Sequence, residues 1–256
     1  MEKNNQSEKI QDNKKILNKD FIEIEFTGRI KDGEIFDSNI QEDLEKLYSN
    51  HNSEVKSKSF VFCIGEDMFL KAIDDFLIGK EIGKKYEIEL NPEKAFGKRN
   101  PSLIKIIPMR LFKQQQTPPQ PGMMFNFDNQ IGKVISVSGG RVITDFNNPL
   151  AGKIVIYNLN VKRKVTDINE KIKSLMNFFF RKEFDYKISE KKLVIEAEKP
   201  FVKFIELFKD KFKDVLGLEL EVKEKEEVKK KEEKENDKSE AKSLKDNKTN
   251  KENEKH

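Results

Sequence analysis

Phe21-Ile22-Glu23-Ile24-Glu25-Phe26 alternates apolar and charged residues without a break. A period of two lines the apolar side chains along one face of an extended strand, so the chain must build a half-buried sheet around this segment. Lys31-Asp32-Gly33 follows with turn chemistry, which predicts a hairpin. Strand character returns at 59–64, 86–90 and 154–161, and a change of register near Asn158 predicts a bulge in the last of these. Phe69, Ile73, Phe76 and Leu77 share one face of a helix that Gly79 and Gly83 stop. The polar stretch 39–59 reads as a surface loop with one or two helical turns around Leu44, Leu47 and Tyr48.

Two further regions have patterns of their own. Short strands between 98 and 146, with Thr117-Pro118-Pro119-Gln120-Pro121-Gly122 as a stiff turn and Ser138-Gly139-Gly140-Arg141 as a hairpin tip, predict a small β domain. Beyond Lys164 the order becomes helix, strand, strand, helix, strand. Ile168, Ile172, Leu175, Met176 and Phe179 form one helical stripe, and Phe201, Phe204, Ile205, Phe208 and Phe212 form another. Aromatic stripes at this spacing are core rather than a cofactor box. The predicted organisation is α+β: a disordered segment 1–20, one domain made of 21–97 and 147–165, an inserted β domain 98–146, an α+β domain 166–222, and a disordered Lys/Glu-rich tail 223–256.

Composition narrows the function by exclusion. The net charge of +4 is a small difference between 50 basic and 46 acidic residues, so the surface is of mixed sign and nucleic-acid binding is not supported. The single cysteine, Cys63, sits in the apolar run Phe60-Val61-Phe62-Cys63-Ile64 and reads as a buried, inert thiol. His51 and His256 stand far apart without ligand partners, so no metal and no cofactor is expected. No stretch approaches the roughly 18 consecutive apolar residues of a membrane span, and the first twenty residues hold no signal-type apolar block. A cytoplasmic address with no membrane partner is the expectation. No Ser-His-Asp or Cys-His arrangement and no phosphate loop stands out.

Four motifs carry a resemblance. Phe26-Thr27-Gly28, Gly33-Glu34-Ile35-Phe36-Asp37-Ser38, Ala95-Phe96-Gly97 and Asn147-Asn148-Pro149-Leu150-Ala151-Gly152-Lys153 occur in the order and approximate spacing of FK506-binding-protein (FKBP)-type peptidyl-prolyl isomerases. Over about residues 21–165 the chain resembles the long, SlyD-like form with an inserted flap domain. The resemblance implies an FKBP half-barrel of antiparallel strands wrapped on a short helix, and peptidyl-prolyl cis-trans isomerase activity. It implies catalytic roles for Phe36, Asp37, Leu70, Phe96 and Tyr157, with Phe26, Phe60, Phe69 and Ile73 completing an apolar cup for a proline ring. In this reading the Leu70 N–H holds a substrate carbonyl and Asp37 orients polar groups at the rim.

The same resemblance implies that the insert, through Met123, Met124 and Phe125, binds unfolded polypeptide, making proline-containing and unfolded chains the partners. A homodimer through the C-terminal domain is a further expectation. Phe26 and Phe96 stand where the family usually has tyrosine, and Asn148 where it has histidine. A lost hydroxyl removes a hydrogen bond of about 0.5–1.5 kcal/mol, which predicts that macrolide affinity falls further than isomerase activity. A catalytically weak or silent holdase is therefore the competing reading, and a lysine-tail nucleic-acid binder a distant third.

Overall fold

The computed structural model describes residues 14–49, 55–112, 117–127 and 129–225. Residues 1–13, both histidines and the charged tail from 226 onward lie outside the described residues. The chain divides into two compact units, Met1–Glu183 and Phe184–His256.

The first unit begins with β1 (Phe21–Ile30), β2 (Ile35–Ser38), α1 (Gln41–Leu47), β3 (Phe60–Cys63), α2 (Lys71–Leu77) and β4 (Lys85–Leu90). It continues through β5 (Ile104–Pro108), β6 (Met124–Phe127), β7 (Gln130–Ser138), β8 (Arg141–Asp145), β9 (Val155–Lys164) and α3 (Ile168–Phe180). The larger sheet is antiparallel with the order β2-β1-β9-β4, and β3 also pairs with β1. Ile22, Ile24 and Phe26 of β1 are buried as their alternation requires, and Cys63 is buried at the end of β3. The architecture is mixed α+β, as expected.

One edge of β1 is shared. β3 pairs with residues 21–24 and β2 with residues 27–29, so a gap falls at Phe26. Asn39 fills it with its side-chain amide, accepting the Phe26 N–H at 2.7 Å and donating to the Ile24 carbonyl at 2.8 Å. The Ser38 hydroxyl donates to the Phe26 carbonyl at 2.8 Å. Buried backbone groups that lack a strand partner are thereby satisfied.

Three expectations shift. The ordered chain starts before Phe21: Ile16 is fully buried, its N–H donates to Lys80 O at 2.9 Å and its carbonyl accepts from Gly79 N at 2.8 Å. The bulge in β9 is at Lys162, the extra residue between the pairs Glu23–Arg163 and Ile24–Val161. Pairing runs unbroken through Asn158; Val155, Ile156 and Tyr157 are all buried, so polarity there does not report the pleat. The third shift concerns α3, which Asp167 caps by accepting the Glu170 N–H at 2.9 Å. Ser174 Oγ donates to Val61 O of β3 at 2.6 Å, so this helix lies in the first unit rather than opening the C-terminal domain.

Between β4 and β9 the chain forms a separate antiparallel sheet with the order β5-β8-β7-β6. Gly139 and Gly140, at φ 53° and 75°, make the two-residue turn between β7 and β8, a conformation that glycine adopts without steric cost. One face of this sheet packs Phe112, Phe125, Val134 and Val142. The two linkers that join it to the larger sheet are tied together by Asn147. Its Oδ1 accepts the Asn100 N–H at 2.8 Å, and its Nδ2 donates to Asn100 O at 3.0 Å and to Asp145 Oδ1 at 2.7 Å. Asp145 also pairs with Arg99.

The second unit holds β10 (Asp185–Ser189), β11 (Lys192–Ala197), α4 (Lys199–Glu206), α5 (Lys209–Leu216) and β12 (Glu219–Glu224). β10 is antiparallel to β11 and β12 parallel to it, the latter requiring the helical crossover between them. The second predicted stripe is two helices, because Phe208 leaves helical geometry at φ −100°, ψ 8°. Lys223 and Glu224, expected to start the tail, close β12. Among the described residues no helix is long and apolar enough to cross a membrane.

Asn147→Ala removes the tie between the two linkers. It should lower the unfolding free energy by about 1–3 kcal/mol, read in urea, and speed protease cleavage between Gly97 and Pro101.

Candidate functional site

Gly28 is paired in register with Asp37 on β2 and with Tyr157 on β9. A Cβ at this position would stand 2.9 Å from Phe36 Cζ and 2.9 Å from Tyr157 Cε1. Two aromatic rings thus lie over bare backbone. Phe36 reaches this position through a bulge: Gly28 pairs with Asp37 and Arg29 with Ile35, leaving Phe36 as the extra residue. A bulge of this kind re-aims a side chain.

From this contact the rings continue. Phe36 meets Tyr157 edge-on at 5.7 Å between centroids and Phe96 at 5.5 Å. Tyr157 meets Phe69 at 5.4 Å, and Phe69 meets Phe26 at 4.9 Å and Phe60 at 5.3 Å. Six of the sequence-predicted residues therefore form one connected aromatic cluster. Ile73 is fully buried on α2, and Leu70, half-buried, caps the N-terminus of α2 in extended conformation. The Leu70 carbonyl accepts the Ile73 and Asp74 N–H groups at 2.8 and 3.2 Å; its own N–H has no acceptor among the described residues.

Asp37 sits at the rim, and no cation pairs with it among the described residues. Its surface is open to solvent on one side, yet the surrounding protein desolvates the carboxyl enough to raise its pKa, only partly offset by the Ser38 N–H. Burial also raises the Tyr157 hydroxyl pKa, and the nearby Asp37 charge adds to it. At neutral pH the tyrosine is a neutral donor beside a carboxylate. Among the described residues no group of three or more His, Cys, Asp or Glu could hold a metal ion.

Comparison with known proteins accords with this geometry. Residues 12–112 match the family described as FKBP-type peptidyl-prolyl cis-trans isomerase, and residues 105–150 match that described as FKBP26, IF domain. The protein named Probable FKBP-type 16 kDa peptidyl-prolyl cis-trans isomerase of Pseudomonas fluorescens is 30% identical over 105 residues, covering 39% of this chain and 69% of that relative. This chain belongs to the FKBP-type peptidyl-prolyl cis-trans isomerase family. The Short-type peptidyl-prolyl cis-trans isomerase of Methanocaldococcus jannaschii is 28% identical over 143 residues, 56% of this chain and 90% of the relative. FKBP-type peptidyl-prolyl cis-trans isomerase SlyD of Treponema pallidum is 28% identical over 159 residues, 60% of this chain and 81% of the relative.

Two residues that support the aromatic cluster escaped the sequence reading. Phe62, fully buried, stacks on Phe60 at 5.2 Å and backs Phe69 at 5.8 Å; its two-residue spacing from Phe60 was the available signal. Asp74 of α2 is 1% exposed and accepts the Gly65 N–H at 2.8 Å, pinning the turn that carries Phe69 and Leu70. Desolvation lifts its pKa to about 6 against the Gly65 hydrogen bond, and the neighbouring Asp67 and Asp75 charges add to the rise. Its i+4 spacing from Leu70 and i−3 spacing from Leu77 put it on the buried face of α2, which is the signal that separates it from Asp75.

The insert residues divide. Phe125 is 9% exposed in the insert core and Met123 packs against that core, whereas Met124 is 66% exposed. β6 alternates, so consecutive side chains face opposite ways and the three cannot form one surface. Strand pairing instead puts Met124 on the same outer face as Ile104, Ile106, Ile131 and Ile143, all exposed.

Gly28→Ala should drive a methyl group into both rings and destabilise the fold by about 1–3 kcal/mol, with a change in the near-ultraviolet circular dichroism of the cluster. Asp74 makes a pH prediction. Its native carboxyl keeps its proton up to about pH 6 whereas the reference value is 3.8, so between these values the native state binds more protons. Stability from this group is full below about pH 4 and falls as pH rises through 6, by up to about 3 kcal/mol. Urea midpoints measured across this range should fall less steeply in Asp74→Asn than in the wild type.

Proposed function

We propose that the aromatic cup isomerises prolyl peptide bonds in folding polypeptides, and that the outer face of the insert captures those polypeptides. The observation that carries the first part is the convergence of Phe36, Phe69, Phe96 and Tyr157 beside a Leu70 N–H that has no acceptor among the described residues. Rotation about an X-Pro bond crosses a barrier of about 18–20 kcal/mol because the planar amide loses resonance as it twists. No covalent intermediate is needed. A twisted amide is less dipolar than either planar isomer, so a water-poor cup favours it over both. The Leu70 N–H holds the carbonyl on one side of the rotating bond, and the Asp37 carboxylate orients polar groups at the rim.

The second part rests on Ile104, Ile106, Met124, Ile131 and Ile143, five exposed apolar side chains on one face of a four-stranded sheet. Lys133 and Asp145 share this face and lie between Met124 and Ile104, so the apolar side chains form patches rimmed by charge, a surface suited to other chains. Client held there is presented to the cup at raised effective concentration, so recognition at both places can be weak and tolerant of sequence. The proposal places this activity in the cytoplasm. A holdase with little catalysis is the second reading, favoured by the missing hydroxyls at Phe26 and Phe96.

Catalytic amounts of the protein should accelerate a proline-limited refolding reaction. Asp37→Ala and Phe96→Ala should each slow that acceleration about ten-fold, the equivalent of about 1.4 kcal/mol, while suppression of aggregation persists. Suppression without any acceleration by the wild type would leave the holdase. Ile106→Ser combined with Ile131→Ser should do the reverse, weakening aggregation suppression while rates on short proline peptides stay within about two-fold.

A further inference from the structure

A groove of about 660 Å³ runs between α2 and β4 and ends at the turn after β4. Leu70, Ala72, Phe76, Ile88, Leu90 and Ala95 give it an apolar lining. Its volume lies within the range of about 300–1,000 Å³ typical of binding clefts. Leu70 is joined to Phe69 and Ala95 to Phe96, two rings of the cup, so the groove and the cup share a border.

Two features say what the groove accepts. Ile88, Glu89 and Leu90 are consecutive in β4 yet all border it, so the strand presents its backbone edge as well as one face. β4 is the last strand of its sheet, and among the described residues nothing pairs with that edge at 88–90. An extended polypeptide laid along it would find backbone donors and acceptors. The second feature is charge. Glu89 is held by Lys31 and Glu93 by Lys98, each at 2.9 Å. Lys71 and Lys94 on the walls form no ion pair among the described residues, and Asp75 is the one acidic wall residue not so held. Counted together with Lys31 and Lys98, which stand outside the lining and hold Glu89 and Glu93, the groove has one positive charge in excess.

We propose that this groove binds the stretch of client polypeptide on one side of the isomerising proline, in extended form, and selects acidic over basic residues there. The proposal rests on the isomerase reading of the cup and adds a specificity that the cup itself does not supply. The cup recognises the ring and the twisting bond; the groove reads the flank.

Proline peptides identical except for Glu, Ala or Lys near the proline, placed on either side in turn, test it. The readouts are kcat/KM and equilibrium affinity by fluorescence anisotropy. The Glu peptide should exceed the Lys peptide by about three- to ten-fold at low ionic strength, on one flank only, with the ratio collapsing toward one at high salt. In Lys71→Glu with Lys94→Glu the ratio should invert. Acceleration of all peptides alike, on both flanks, overturns the groove and leaves the isomerase standing. A ratio that the double substitution does not change also overturns it. If no peptide is accelerated, the isomerase reading fails, and anisotropy decides the groove: charge-ranked binding sensitive to the two lysines keeps it as a peptide site, and unranked binding removes it.

Discussion

The absence of a side chain at Gly28 is the constraint on which the site depends. Backbone pairing places Asp37 on one side of this residue and Tyr157 on the other, and the bare Cα leaves room for two rings 2.9 Å from where a Cβ would be. The bulge that frees Phe36 from the β2 ladder makes sense only with that room available. Each edge-to-face ring contact is worth about 0.5–1.5 kcal/mol beyond its buried area, so the cluster is held by many modest terms. Removing the space would disturb several of them together.

A second theme is the use of side-chain amides as substitute backbone. Asn39 occupies the gap where β3 has ended and β2 has not begun, and it donates and accepts as a neighbouring peptide unit would. Asn147 does the same where the chain enters and leaves the smaller sheet. Both lie where a ladder is interrupted and backbone groups would otherwise lose their partners. Asn39 directly follows the segment bearing Phe36 and Asp37, so the same substitution that completes the sheet also anchors the rim of the cup. Asp43 reinforces this rim, accepting from the Thr27 hydroxyl.

Legibility in the sequence followed the range of the interaction concerned. The alternation of β1 and the Gly139-Gly140 hairpin depend on neighbouring residues and could be read directly. The cup residues became legible only as a set of motifs, because a lone Phe26 or Phe96 looks like any core phenylalanine. The register change expected near Asn158 came from three buried residues in succession, Val155, Ile156 and Tyr157, which erase the polarity signal of the pleat, whereas the ladder is interrupted at Lys162. Phe125 was expected beside Met124 on a surface, but the strand that holds both turns them to opposite faces. The break between α4 and α5 likewise could not be seen, since the aromatic spacing of 201–212 continues across it while the backbone does not.

Asp74 shows how far the fold goes to keep the Gly65–Leu70 turn in place. A carboxyl at 1% exposure loses most of its hydration, and one backbone N–H at 2.8 Å recovers only part of it. An apolar residue at the same position of α2 would avoid that loss but could not accept the Gly65 N–H. The turn leads to Phe69, which bridges Phe60 and Tyr157, and to Leu70, whose N–H has no acceptor among the described residues. Local conflicts between stability and geometry concentrate at functional sites because only there does a fixed geometry have a use beyond folding. The cost at Asp74 therefore falls at the turn that carries Phe69 and Leu70.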